Sequence, residues 1–108
     1  MKNEPLEPEA TQLAGLIDYQ AGSVVSRQLL KTEHGNVTLF AFDKGEALSE
    51  HTSPFDALVQ VLDGRAEMMV SRRPHLLKTG QAILMPANRP HAVKAVERFK
   101  MLLTLLRS

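Results

Sequence analysis

Gly45 to Gly64 reads GEALSEHTSPFDALVQVLDG, and Gly80 to His91 reads GQAILMPANRPH. Each stretch sets a short apolar run between turn residues and carries a histidine, His51 or His91, beside an expected strand end. The same rhythm runs outward on both sides. Candidate strands are Val24 to Lys31, Val37 to Phe42, Ala57 to Leu62, Ala66 to Val70, Ala82 to Met85, Ala92 to Val96 and Phe99 to Leu106. Turns are expected at His34-Gly35-Asn36, Asp43-Lys44-Gly45, Asp63-Gly64, Arg73-Pro74, Thr79-Gly80 and Asn88-Arg89-Pro90. Short apolar runs at such close intervals predict an all-β sandwich or barrel. Asp63-Gly64 is the clearest hairpin signal and is expected to join two strands tightly. Phe99 to Leu106 is apolar at almost every position. Its length also suits a short helix, and it is assigned as a strand because its neighbours are strands.

With 108 residues there is room for one domain and no second core. We divide the chain into a flexible N-terminal arm, 1–12, and a barrel domain, 13–108. The arm is acidic and proline-bearing, with Glu4, Glu7 and Glu9 around Pro5 and Pro8. A strand as apolar as Phe99 to Leu106, left at a sheet edge, invites association, so barrel closure or a homodimer is expected.

A net charge of +1 with scattered Lys and Arg builds no basic stripe, which argues against nucleic acid as a partner. No apolar run approaches the roughly 20 residues that span a bilayer, so no membrane is expected, and a cytoplasmic location is the default expectation. The chain has no Cys, so any metal must be held by His and carboxylates.

The two histidine-bearing segments resemble the paired motifs of the cupin superfamily, G-x5-H-x-H-x3,4-E-x6-G and G-x5-P-x-G-x2-H-x3-N. Gly45, His51 and Gly64 fall on the first motif, with Ser53 at its second histidine and Asp56 taken as its acidic residue. Gly80, Pro86 and His91 fall on the second, with Asn88 where that motif has Gly and Ala95 where it has Asn. The resemblance implies a single cupin-type β-barrel, a double-stranded β-helix or jelly roll. It also implies a divalent ion inside, iron, manganese, nickel or zinc, held here by His51, Asp56 and His91.

Two imidazoles and one carboxylate suffice for a facial triad with open positions, as a dioxygenase, isomerase or decarboxylase would need. The alternative is a metal-free pocket that binds or senses a small molecule without catalysis, with Ser53 and Asp56 offering hydrogen bonds. No catalytic residue is assigned in either case. Gln60, at even spacing from Asp56, shares its strand face and is expected to line the pocket. Met68, with Met85 and Met101, is read either as a soft pocket lining or as core.

Overall fold

The structure, a computed structural model, describes residues 2–3 and 6–107. Met1, Glu4 and Pro5 of the expected arm lie outside the described residues, as does Ser108. In chain order the strands are β1 (Lys2–Asn3), β2 (Val24–Thr32), β3 (Gly35–Phe42), β4 (Ala47–His51) and β5 (Asp56–Asp63). They continue as β6 (Arg65–Val70), β7 (Arg73–Lys78), β8 (Ala82–Met85), β9 (His91–Ala95) and β10 (Phe99–Leu106). A 3-10 turn, Leu13–Leu16, precedes β2. Among the described residues no helix is long and apolar enough to cross a membrane.

The strands form a six-stranded sheet, in the order β1-β2-β3-β10-β5-β8, and a four-stranded sheet, in the order β4-β9-β6-β7. Alternation along each strand decides what lies between them. In β5, Ala57, Val59 and Val61 are buried while Asp56, Leu58 and Gln60 are exposed. The same period in β6 sends Ala66, Met68 and Val70 inward. These residues meet Phe42, Phe99, Met85, Val93 and Met101 in the main core. Phe42 and Phe99 stack there with ring centroids 4.6 Å apart. A smaller core lies outside the six-stranded sheet, where the segment around the 3-10 turn, with Leu13, Leu16 and Ile17, covers Leu29, Leu39 and Ala41. Polar contacts hold that segment: Lys100 Nζ donates to the Ala14 carbonyl at 2.6 Å, and the Tyr19 hydroxyl donates to Asp63 at 2.5 Å.

Three sequence expectations change. Asp63-Gly64 is no hairpin, because β5 pairs with β10 and β8 while β6 pairs with β7 and β9. The turn instead carries the chain from one sheet to the other. Gly64 is required there: its φ is +78°, and a Cβ would collide with the Arg98 carbonyl oxygen and with Phe99. The turn placed at Arg73-Pro74 sits at Ser71 and Arg72, whose φ values are +50° and +64°. Pro74 belongs to β7, an edge strand, where a missing N–H is tolerated. Finally, β10 is not an edge strand. It lies between β3 and β5, so its apolar character is satisfied inside the molecule.

Candidate functional site

His51 ends β4 and His91 begins β9, and these antiparallel strands place the two residues as direct cross-strand partners. Their Nε2 atoms lie 3.0 Å apart, with the rings edge to face at 74°. His51 Nδ1 lies 2.9 Å from the Ser49 carbonyl oxygen. That carbonyl can only accept, so Nδ1 carries the hydrogen and His51 Nε2 keeps its lone pair. The His91 Nε2–H therefore donates to His51 Nε2 in the neutral pair. His91 Nδ1 is then a bare nitrogen, buried and without a partner at hydrogen-bonding geometry. Burial holds the His91 pKa below the ordinary histidine value, the charge of His51 lowers it further, and the nearby Arg89 backbone pulls the other way.

The pair lines a cavity of about 110 Å³. Its walls are apolar: Ala57 and Val59 from β5, Met85 from β8, Val93 from β9, and Met101, Leu103 and Leu105 from β10, with Leu48 near the histidines. Ser53 adds a hydroxyl. The Ser53 Oγ accepts the Phe55 N–H at 3.1 Å, which leaves its own hydrogen free to donate.

Asp56 is not in this group. Strand alternation turns it to the outer face of the sheet, where its carboxylate accepts the Ala87 N–H at 2.8 Å. Counting the six intervening residues back from Gly64, the motif's acidic place falls on Ala57, which is buried and faces the cavity. One residue of register separates the two readings, and one residue in a strand is a change of face.

Gln60 shares the outer face with Asp56 as the even spacing requires, and for that reason it does not line the cavity. Met68 is fully buried in the main core and is not among the lining residues. The lining residues of β10 were legible as alternate positions of an apolar run, once the strand's inner face was known.

The second motif is positioned by its turn. Asn88 adopts φ +65°, a left-handed conformation that Asn tolerates better than most residues and that suits a place held by Gly in the motif. Its N–H donates to the Ser53 carbonyl at 2.7 Å and ties the turn before His91 to the loop after His51.

Zinc and iron, two of the ions the resemblance implies, are held in protein sites by three or more protein ligands. Among the described residues no group of three His, Cys, Asp or Glu converges to hold one. His51 and His91 converge, but Ser53 and Ala57 stand where two further ligands would be needed. The residues present do not fit the metal that the motif resemblance implies.

The cupin domain family matches residues 38–105, which include both histidines. No match is found among functionally curated proteins. A conserved protein of unknown function from Streptococcus pyogenes superimposes with a TM-score of 0.92 at 34% identity, over 99% of this chain and 94% of that one. A cupin 2 conserved barrel domain protein from Leptotrichia buccalis is 43% identical with a TM-score of 0.84, over 87% of this chain but only 46% of its own length. A cupin superfamily protein from Desulfitobacterium hafniense matches with a TM-score of 0.90 at 28% identity, over 97% of this chain and 96% of that one. On the family match and on these identities, carried over a two-sheet barrel with a histidine from each motif at its pocket, the chain belongs to the cupin family.

Proposed function

We propose that this cupin is a metal-free binding module for one small organic molecule with an apolar body and a carboxylate head. The observation that carries the reading is the His51 and His91 pair, which lines an apolar cavity where no acidic side chain is found among the described residues. Size limits the body. A cavity of about 110 Å³ is smaller than the ~150 Å³ that accommodates benzene, so the body has only a few carbon atoms.

The head follows from the hydrogen-bonding capacity. With one added proton, His51 presents Nε2–H as well as Nδ1–H, and it can no longer accept from His91. Two N–H groups and the Ser53 hydroxyl then turn toward an acceptor, and a carboxylate supplies both the acceptor atoms and the compensating charge. Binding is therefore coupled to uptake of a proton. Ala57 supports the reading twice, since its methyl leaves room for the guest and removes the negative charge a Glu would bring.

Butyrate, butanol and butylamine test it, each titrated at millimolar concentration while the histidine ring and methionine methyl signals are followed by NMR. Butyrate is expected to shift both histidines and the methyls of Met85 and Met101, with affinity rising as pH falls from 8 to 6. Butanol is expected to bind more weakly and butylamine not at all. Stoichiometric metal in protein purified without chelators, or a stronger response to the amine than to the acid, would overturn the reading.

A further inference from the structure

Alternation along β10 does not stop at the strand's last residue. Met101, Leu103 and Leu105 line the cavity, and the Arg107 N–H donates to the His34 carbonyl at 2.7 Å, which keeps the chain alongside β3 for one more step. Arg107 therefore belongs to the same face as Leu105, one layer further out. Just before β5, Phe55 stands two residues ahead of Ala57, and the two outer residues meet: the Arg107 guanidinium lies 5.6 Å from the Phe55 ring centroid. Phe55 is itself tied to the site, since its N–H is held by the hydroxyl oxygen of Ser53, a cavity residue.

This layer is at the histidine end of the barrel. Asp56, at the start of β5, pairs with Leu106, at the end of β10. The Asp63-Gly64 turn reverses the chain between the sheets, so Val70, at the end of β6, returns to the Asp56 end, and Val70 is the cross-strand partner of His91. His51 is exposed there, so solvent reaches the pair from this side. The acids of this end are engaged. Glu50 faces Arg72 at 3.5 Å, Glu33 faces His34 at 3.3 Å, and Asp56 is bonded to the Ala87 N–H on the outer face. Arg107 is exposed, and among the described residues no carboxylate pairs with it. Arg89, exposed in the turn before His91, adds a second positive charge.

We propose that Arg107 is a specificity-determining residue at the cavity mouth, held against Phe55 so that its charge favours entry of carboxylates to the histidine pair over neutral and cationic molecules. The inference deepens the carboxylate reading of that site and rests on it for its ligand. A cleft with low-dielectric walls focuses the field of charges at its rim and raises the local concentration of the opposite ion. The cavity walls are apolar, and the rim charge is a guanidinium that no acid neutralises. The Phe55 ring fixes where that charge sits, because a guanidinium stacks on an aromatic face while its N–H groups stay free to donate at the edge. The sheet itself uses only the backbone N–H of Arg107, so the side chain can be changed without unmaking a ladder bond.

Alkylation of the histidines reads this choice without any need for stable binding. The full chain, at pH 7.5 and low salt, is treated in parallel with iodoacetate and iodoacetamide, which are close in size and differ in charge; a ring nitrogen displaces iodide from either. The chain has no cysteine to compete. Peptide mapping gives the ratio of the two rates at His51 and His91, with the exposed His75, on β7, as internal reference. At the pair, the ratio of iodoacetate to iodoacetamide is expected to fall about threefold or more in Arg107→Gln, to fall further in Arg107→Glu, and to hold in Arg107→Lys. In the wild type it is expected to fall at 0.5 M salt, where exposed charges are screened. At His75 the substitutions are expected to change nothing. Phe55→Leu, which leaves the charge but removes its platform, is expected to lower the ratio part of the way. A pair ratio unmoved by Arg107→Gln, a loss in Arg107→Lys equal to that in Arg107→Gln, or a pair that neither reagent reaches would each overturn the proposal. Dependence on Arg107 in a protein whose histidines ignore butyrate would leave the entrance in place and remove the binding-module reading alone.

Discussion

Asp56 and Ala57 are consecutive residues of β5 that serve opposite sides of the sheet, the carboxylate bonded to Ala87 outside and the methyl facing the histidine pair inside. The only acid near the motif place thus points away from the cavity, and the residue that points in has no ligand atom.

Restoring the missing donors on the inner face should create what the wild type lacks. Ser53→His with Ala57→Glu is expected to yield a protein whose thermal midpoint rises by several degrees with stoichiometric zinc or nickel and falls again with chelator. Without metal, the buried carboxylate should destabilise this variant by about 1–3 kcal/mol. The wild type is expected to show neither response. Thermal unfolding with and without metal measures both.

Asp56→Ala should act through the loop rather than through the cavity. It removes a carboxylate acceptor from the Ala87 N–H on an exposed face, a loss of about 1 kcal/mol. Hydrogen exchange at Ala87 should accelerate, while the NMR response to butyrate persists. A loss of ligand response with unchanged exchange would return Asp56 to the site.

Acidification should weaken the fold through His91. Its folded pKa lies below the unfolded value, so between those two values the unfolded chain binds more protons than the native one. Stability is full above the unfolded histidine value of about 6.5 and declines as pH falls from there toward the folded pKa. Denaturation midpoints at pH 7.5 and pH 5.5 are expected to differ in that sense, and His91→Gln should flatten the difference. Asp43, whose carboxyl is held low by the Gly22 and Lys44 N–H groups, contributes only at more acidic pH.

Tyr19 clasps the outer segment. Its hydroxyl reaches Asp63, and the Arg98 guanidinium lies 3.9 Å from its ring centroid. Burial, followed by the Asp63 contact, pushes its pKa up. Tyr19→Phe should cost about 1 kcal/mol in urea unfolding and Tyr19→Ala distinctly more, because the latter also removes the ring.

The strands that bury one face were legible because their alternation is a direct imprint of that burial, as in β5 and β6. The short edge strand β4, ALSEH, is almost wholly exposed, and β7, RPHLLK, holds a proline and three basic-type side chains. Neither buries enough to leave a pattern. Gly64 was legible as a turn, but a positive φ is a local property and the sheet that receives the next strand is not. His51 and His91 were legible from spacing within their motifs. The choice between Asp56 and Ala57 needed the register of β5, which is fixed by its pairing with β10 and β8.

Pro74 sits opposite Met69 in β7, at the open margin of the four-stranded sheet. Lacking an amide hydrogen, it interrupts the run of donors that a stray extended segment would need to zip onto that margin, and Arg73 and Lys78 flank it with positive charge. The cost is one outward-facing donor, not a bond of the ladder with β6. In return, crowded solution offers this side of the barrel no seam from which filaments can grow.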